Sequence, residues 1–126
     1  MTITEQQTMD ENYMPPKDGD FLMGKWGAFI FNGKYIHLPY WERNELTGLY
    51  EVYMRKLPCG YGGIGYDGHF TTLYNSWTDI EHPRQATMRE RNRLHAAMRK
   101  AGYMWDKTNK KLVNLKSQII QKYECK

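Results

Sequence analysis

The sequence predicts an α+β domain: a bent antiparallel sheet or small open β-barrel of about five to seven strands, covered by one helix and closed by a C-terminal hairpin. Three observations predict it. Short runs rich in aromatic and β-branched residues alternate with turn signals through the first two thirds of the chain. Residues 88–101 carry both start and stop signals of a helix. Two further short runs, 103–105 and 110–115, flank the turn-forming Asp106-Lys107-Thr108-Asn109.

In chain order, residues 1–18 have little apolar content and no period, and they end in Met14-Pro15-Pro16-Lys17-Asp18. They predict a flexible arm ahead of a single domain over 19–126. Phe21, Leu22 and Met23 open the body as a short strand, followed by an aromatic-rich run from Trp26 to Phe31. Asn32-Gly33 then separates Phe29-Ile30-Phe31 from Lys34-Tyr35-Ile36-His37-Leu38. Asn-Gly favours the positive φ of a type I′ turn, so a hairpin is expected here, with Pro39 ending its second strand and 40–47 forming a loop. Residues 49–54 alternate, placing Tyr50, Val52 and Met54 on one face and Glu51 and Tyr53 on the other. The glycine-rich stretch 58–69 reads as a loop, or as a second hairpin turning at Asp67-Gly68 with 70–74 as its return strand.

The helix follows. Thr87 and Glu90 form a Thr-x-x-Glu capping box, in which each side chain satisfies a backbone amide freed at the helix start. Leu94, Ala97, Met98 and Ala101 fall at i, i+3, i+4 and i+7, and Gly102 supplies the stop, giving a helix over Met88–Ala101. Its other positions carry Arg89, Arg91, Arg93, His95, Arg99 and Lys100, so a strongly basic solvent side is expected. Beyond the hairpin, Ile119, Ile120 and Tyr123 suggest a short amphipathic helix or docked tail.

Composition bounds the function class. A chain of 126 residues fits one domain. No apolar run reaches the roughly 18 residues of a membrane span, and the N-terminus lacks a signal peptide's apolar core, so a cytoplasmic protein with no membrane partner is expected. Cys59 and Cys125 form neither a disulfide framework nor a zinc set. The net charge of +4 mildly favours anionic partners but is thin for duplex DNA binding. Ten tyrosines and four tryptophans offer surface for stacking.

No enzyme signature stands out. His37, His69, His82 and His95 are dispersed without metal-ligand spacing, and neither Ser76 nor Ser117 sits in a nucleophile elbow. Catalytic, metal and cofactor sites are therefore expected to be absent. The remaining signals point to anion capture. Arg84, Arg89 and Arg93 cluster at a helix start, where guanidinium forks match phosphate oxygens. The glycines of 60–65 would bring amides near a phosphate, and Trp26, Tyr61, Tyr66 and Trp77 would stack on a base. The expected partner is an anionic, nucleotide-like small molecule, with nucleic acid or a protein as the alternatives. Short strands with open edges also favour a homo-oligomer.

Arg84-Gln85-Ala86-Thr87-Met88-Arg89-Glu90, Leu94, Ala97, Gly102-Tyr103-Met104-Trp105-Asp106 and Lys110-Lys111-Leu112 resemble the ending of a group of small proteins of unassigned function from gut Bacteroidetes, their prophages and phages. Gly19-Asp20-Phe21 and the segment Trp26-Gly27-Ala28-Phe29-Ile30-Phe31-Asn32-Gly33 are similar to the start of the same group. The resemblance carries no active site. It implies a phage or mobile-element setting, action in the host cytoplasm, and a role as a structural accessory, a regulator or an inhibitor of host defence, the last exemplified by anti-defence capture of an immune signal.

Overall fold

The computed structural model describes residues 14–74 and 76–115. Most of the expected N-terminal arm, the Ile119-Ile120-Tyr123 cluster and Cys125 lie outside the described residues. Four strands form an antiparallel sheet in the order β1 (Phe21–Met23), β2 (Ala28–Arg43), β3 (Tyr50–Ile64) and β4 (Phe70–Thr71). The helix α1 (Met88–Ala101) follows, and β5 (Tyr103–Asp106) pairs with β6 (Lys111–Asn114) as a separate hairpin. The architecture is α+β as expected, with an open sheet rather than a closed barrel.

Strand periodicity divides the core in two. Alternate residues of β1 and β2 point to opposite faces. Phe21, Ala28 and Ile30 join Ile64, Phe70, Leu94 and Met98 on the face covered by α1 and the β5–β6 hairpin. Leu22, Phe29 and Phe31 pack on the other face with Trp77. Both faces at this end are sealed, which explains the unbroken apolar run from Ala28 to Phe31.

The hairpin expected at Asn32-Gly33 does not form. Gly33 does take a positive φ of 78°, but as part of a bulge: the β2–β3 register jumps between Phe31↔Gly60 and Tyr35↔Pro58, and the chain continues in the same direction. A turn at Gly33 would have offered only Phe29, Ile30 and Phe31 as partners. The observed register instead pairs twelve residues of β2 with β3. Pro39 accordingly lies inside β2, opposite Met54, and does not end it. The true reversal is at 44–49, where the Asn44 side chain accepts the Leu46 and Thr47 amides and Gly48 adopts a φ of 74°.

The glycine-rich stretch is strand over 60–64, turning at 65–69 into β4, and the return strand is shorter than expected. A Cβ added at Gly63 would stand 2.4 Å from that of Phe29, and one at Gly60 would stand 2.8 Å from the Trp77 ring nitrogen. These glycines let large rings lie flat on the backbone.

The helix begins and ends as its sequence predicts. The Thr87 hydroxyl accepts the Glu90 amide, the Glu90 carboxylate accepts the Thr87 amide, and Gly102 caps the C-terminus in the left-handed region. Leu94 and Met98 are buried. The solvent side is less uniformly basic than expected, because Arg91 lies over the Phe21 ring and His95 packs beside it, 5.1 Å between centroids. Burial and the neighbouring Arg91 and Arg99 push the His95 pKa down.

Candidate functional site

The segment between β1 and β2 carries Trp26 across the sheet toward α1. Its position is set from behind by a run of rings: Trp26 lies 5.4 Å from Tyr74, which meets Trp77 edge-on at 5.1 Å, and Trp77 stacks on Phe29. The Lys25 backbone amide reinforces this placement by donating to the Trp77 carbonyl. In front of Trp26 lies a cleft of about 170 Å³, lined also by Met23, Gly27, Ala28 and, from the first turns of α1, Arg89, Glu90 and Arg93.

The charges in this cleft are not equivalent. Arg84 holds Glu90 through two bonds of 2.7 Å, and Glu90 also closes the cap. These contacts, with Arg84 the largest, hold the Glu90 carboxyl down to about 2. Glu90 is thereby neutralised inside the structure. Arg89 and Arg93 have no acidic partner among the described residues and remain available to an anion. The cleft thus offers one aromatic surface and two guanidinium groups that no acid among the described residues pairs with.

Of the seven residues expected to bind, Trp26, Arg89 and Arg93 line this cleft together. Tyr66 is not part of the lining; it is largely exposed, with its ring edge-on to Trp26 at 6.4 Å. The other three are placed elsewhere. Trp77 is 1% exposed and belongs to the core, its ring nitrogen without a hydrogen-bond partner among the described residues. Tyr61 packs on Trp105 under the β5–β6 hairpin and donates to Asp18 at 2.7 Å; burial and Asp18 raise its pKa. Arg84 is committed to Glu90, so the cap that predicts the helix also withdraws one of the three arginines. The glycine-rich segment offers no phosphate nest, being sheet packed beneath Phe29, Phe70 and Trp77.

Sequence reasoning missed a second cleft, of about 260 Å³, on the other side of Trp26. It is lined by Lys25, Leu38, Arg55, Leu57 and Trp77 among others. No local signal marks its wall, because bringing Leu38 beside Arg55 required the long β2–β3 register. Cys59 is half-buried, and burial pushes its thiol pKa up, which lowers its nucleophilic fraction. No group of three metal-ligating side chains occurs among the described residues, and no helix there is long and apolar enough to cross a membrane. No family model matches the chain, and neither the curated proteins nor the solved structures contain a match to it.

Proposed function

We propose that the protein is a non-catalytic binding protein that captures a nucleotide-like anion in the cleft between Trp26 and the start of α1. The observation that carries this reading is the convergence of Trp26 with Arg89 and Arg93, two guanidinium groups without an acidic partner among the described residues, while the nearby Glu90 is paired with Arg84. A base stacked on Trp26 contributes roughly 1–3 kcal/mol, and each charge-assisted hydrogen bond to phosphate contributes about 1.5–3 kcal/mol before ordering costs.

Volume narrows the ligand. Pockets that enclose drug-sized molecules run to roughly 300–1,000 Å³, so a cleft of about 170 Å³ takes one nucleotide unit and does not enclose a cyclic di- or trinucleotide whole. In the phage setting that the resemblance implies, the captured species would be a mononucleotide-sized signal, held without alteration.

Calorimetry against nucleoside mono- and diphosphates, ADP-ribose and cyclic dinucleotides tests this reading. The expected result is micromolar or tighter binding of the smaller ligands, recovery of the ligand intact, and a loss of about tenfold or more for Arg89→Ala or Arg93→Ala. Conversion of the ligand to product would make the protein an enzyme. Absence of heat together with salt-sensitive retention of single-stranded DNA or RNA would favour a second reading. That reading rests on one face of the long β2–β3 ribbon, where Trp41 and Tyr50 are exposed and the paired positions carry Arg43, His37 and Lys56 but no carboxylate.

A further inference from the structure

Beyond residue 34 the β2–β3 ribbon leaves the rest of the sheet: β1 pairs only with Ala28, Phe29 and Ile30, and β4 only with Gly63 and Ile64. Two-stranded ribbons are marginal alone in water. The face opposite Trp41 carries, from tip to base, the cross-strand rows Glu42–Glu51, Tyr40–Tyr53, Leu38–Arg55 and Ile36–Leu57. Two features of this face are unresolved within one copy. Leu38, Tyr40 and Tyr53 remain exposed although the two tyrosines stack on each other, and Glu42 stands directly opposite Glu51, which accepts from Asn44 and Tyr53, with no cation bonded to either acid among the described residues. Like charges in that relation destabilise a strand pair.

We infer that this face docks on the same face of a second copy of the chain, with the two ribbons antiparallel. A two-fold axis through the Tyr40–Tyr53 row stacks the four tyrosines of the pair. Successive rows lie about 7 Å apart, so the same axis brings Glu42 and Glu51 of one copy onto the Leu38–Arg55 row of the other. The acids at the tip therefore meet Arg55 and Lys25 at the base, where Arg55 also donates to the Asp79 backbone carbonyl and the Asp79 side chain adds a carboxylate to the cleft lining. The turn arrives one row further on, over Leu57 and the 260 Å³ cleft. That turn carries Leu46 at 96% exposure and Leu49 largely exposed, which gives the cleft apolar occupants.

The ribbon's open edge suits docking by faces rather than by edges, because Pro39 removes a backbone donor in the middle of β2. A face about 30 Å long and about 15 Å wide covers on the order of 450 Å². The seated tips extend this toward the roughly 800 Å² per partner of a standard interface. Trp26 lines both clefts, so a partner's tip would close the far side of the ring against which a ligand stacks. The dimer stands independently of whether a ligand binds.

Sedimentation velocity on the full chain across a concentration series, with two variants, tests the inference. The unaltered chain is expected to form a reversible dimer at micromolar concentration. Leu46→Asp combined with Leu49→Asp is expected to be monomeric with an unchanged circular dichroism spectrum. Glu42→Lys separates the dimer from mere stability. It should weaken association roughly tenfold or more by setting a lysine on the partner's Leu38–Arg55 row, beside its arginine. It should also raise the melting temperature of the dilute monomer, because the introduced lysine would then face Glu51 within the same copy. A chain that stays monomeric at high micromolar concentration overturns the inference, as does a dimer unaffected by either variant. Monomers that instead retain nucleic acid would overturn it and favour the nucleic-acid reading of the opposite face, which carries Trp41.

Discussion

The same two strands lead two different lives. Between Ala28 and Phe31, β2 is sealed on both faces by the helix, the β5–β6 hairpin and Trp77, and Phe29 is 0% exposed. Twelve residues later on the same strand, Trp41 is 65% exposed, and its cross-strand partner Val52 is exposed with it. Local propensity does not distinguish the two halves, since both are aromatic, branched and strand-forming. What differs is whether another element covers them. The base builds the fold and the cleft, whereas the ribbon is surface that one copy does not bury.

That contrast is broken most directly by matched truncations. Phe29→Ala should cost about 3–5 kcal/mol, whereas Trp41→Ala should change stability by no more than about 0.5 kcal/mol, both read by chemical denaturation of the dilute monomer. Comparable losses would mean that the ribbon is covered within one chain. A smaller effect is expected at the helix start, which belongs to the base: Thr87→Ala should cost about 1 kcal/mol by removing the hydroxyl that accepts the Glu90 amide.

The smallest effect is a change with pH. The Glu90 carboxyl titrates at about 2 instead of its ordinary 4.5. A carboxylate with a depressed folded pKa contributes stability that is fully present above its unfolded pKa and is lost as pH falls through the folded value. Stability should therefore decline between about 4.5 and 2, and Glu90→Gln should flatten that limb while slightly lowering stability at neutral pH. Because this pair is near the surface, the amplitude is small and should shrink further in salt. An unchanged acid limb in Glu90→Gln would show that the Arg84–Glu90 pair does not hold the helix start in solution.

Legibility followed the range of the interaction. The helix was readable to the residue because its capping box, its i, i+3, i+4 stripe and its terminal glycine all act within about one or two turns of chain. The β5–β6 hairpin was readable for the same reason, with Asp106 accepting the Thr108 and Asn109 amides across its turn. Asn32-Gly33 misled because the positive φ it favours serves a bulge as well as a turn, and the choice depended on twelve pairings with a strand not yet reached in the sequence. Among the candidate site residues, Trp26, Arg89 and Arg93 line one cleft. Arg84 was withdrawn by Glu90, and Trp77 and Tyr61 by the two halves of the core.

The amino-acid sequence alone determined the α+β class, the bounds of the helix, the closing hairpin and the face assignment within the strand around Tyr50, Val52 and Met54, because each rests on local torsions, caps or a period of two. Only the tertiary structure decided which aromatic rings are core and which are surface, that the glycines lie beneath rings instead of around a phosphate, and that β2 runs on past its apparent turn into an uncovered ribbon. Those outcomes depend on long-range pairing and on which faces find a cover, and neither quantity is carried by any single stretch of chain.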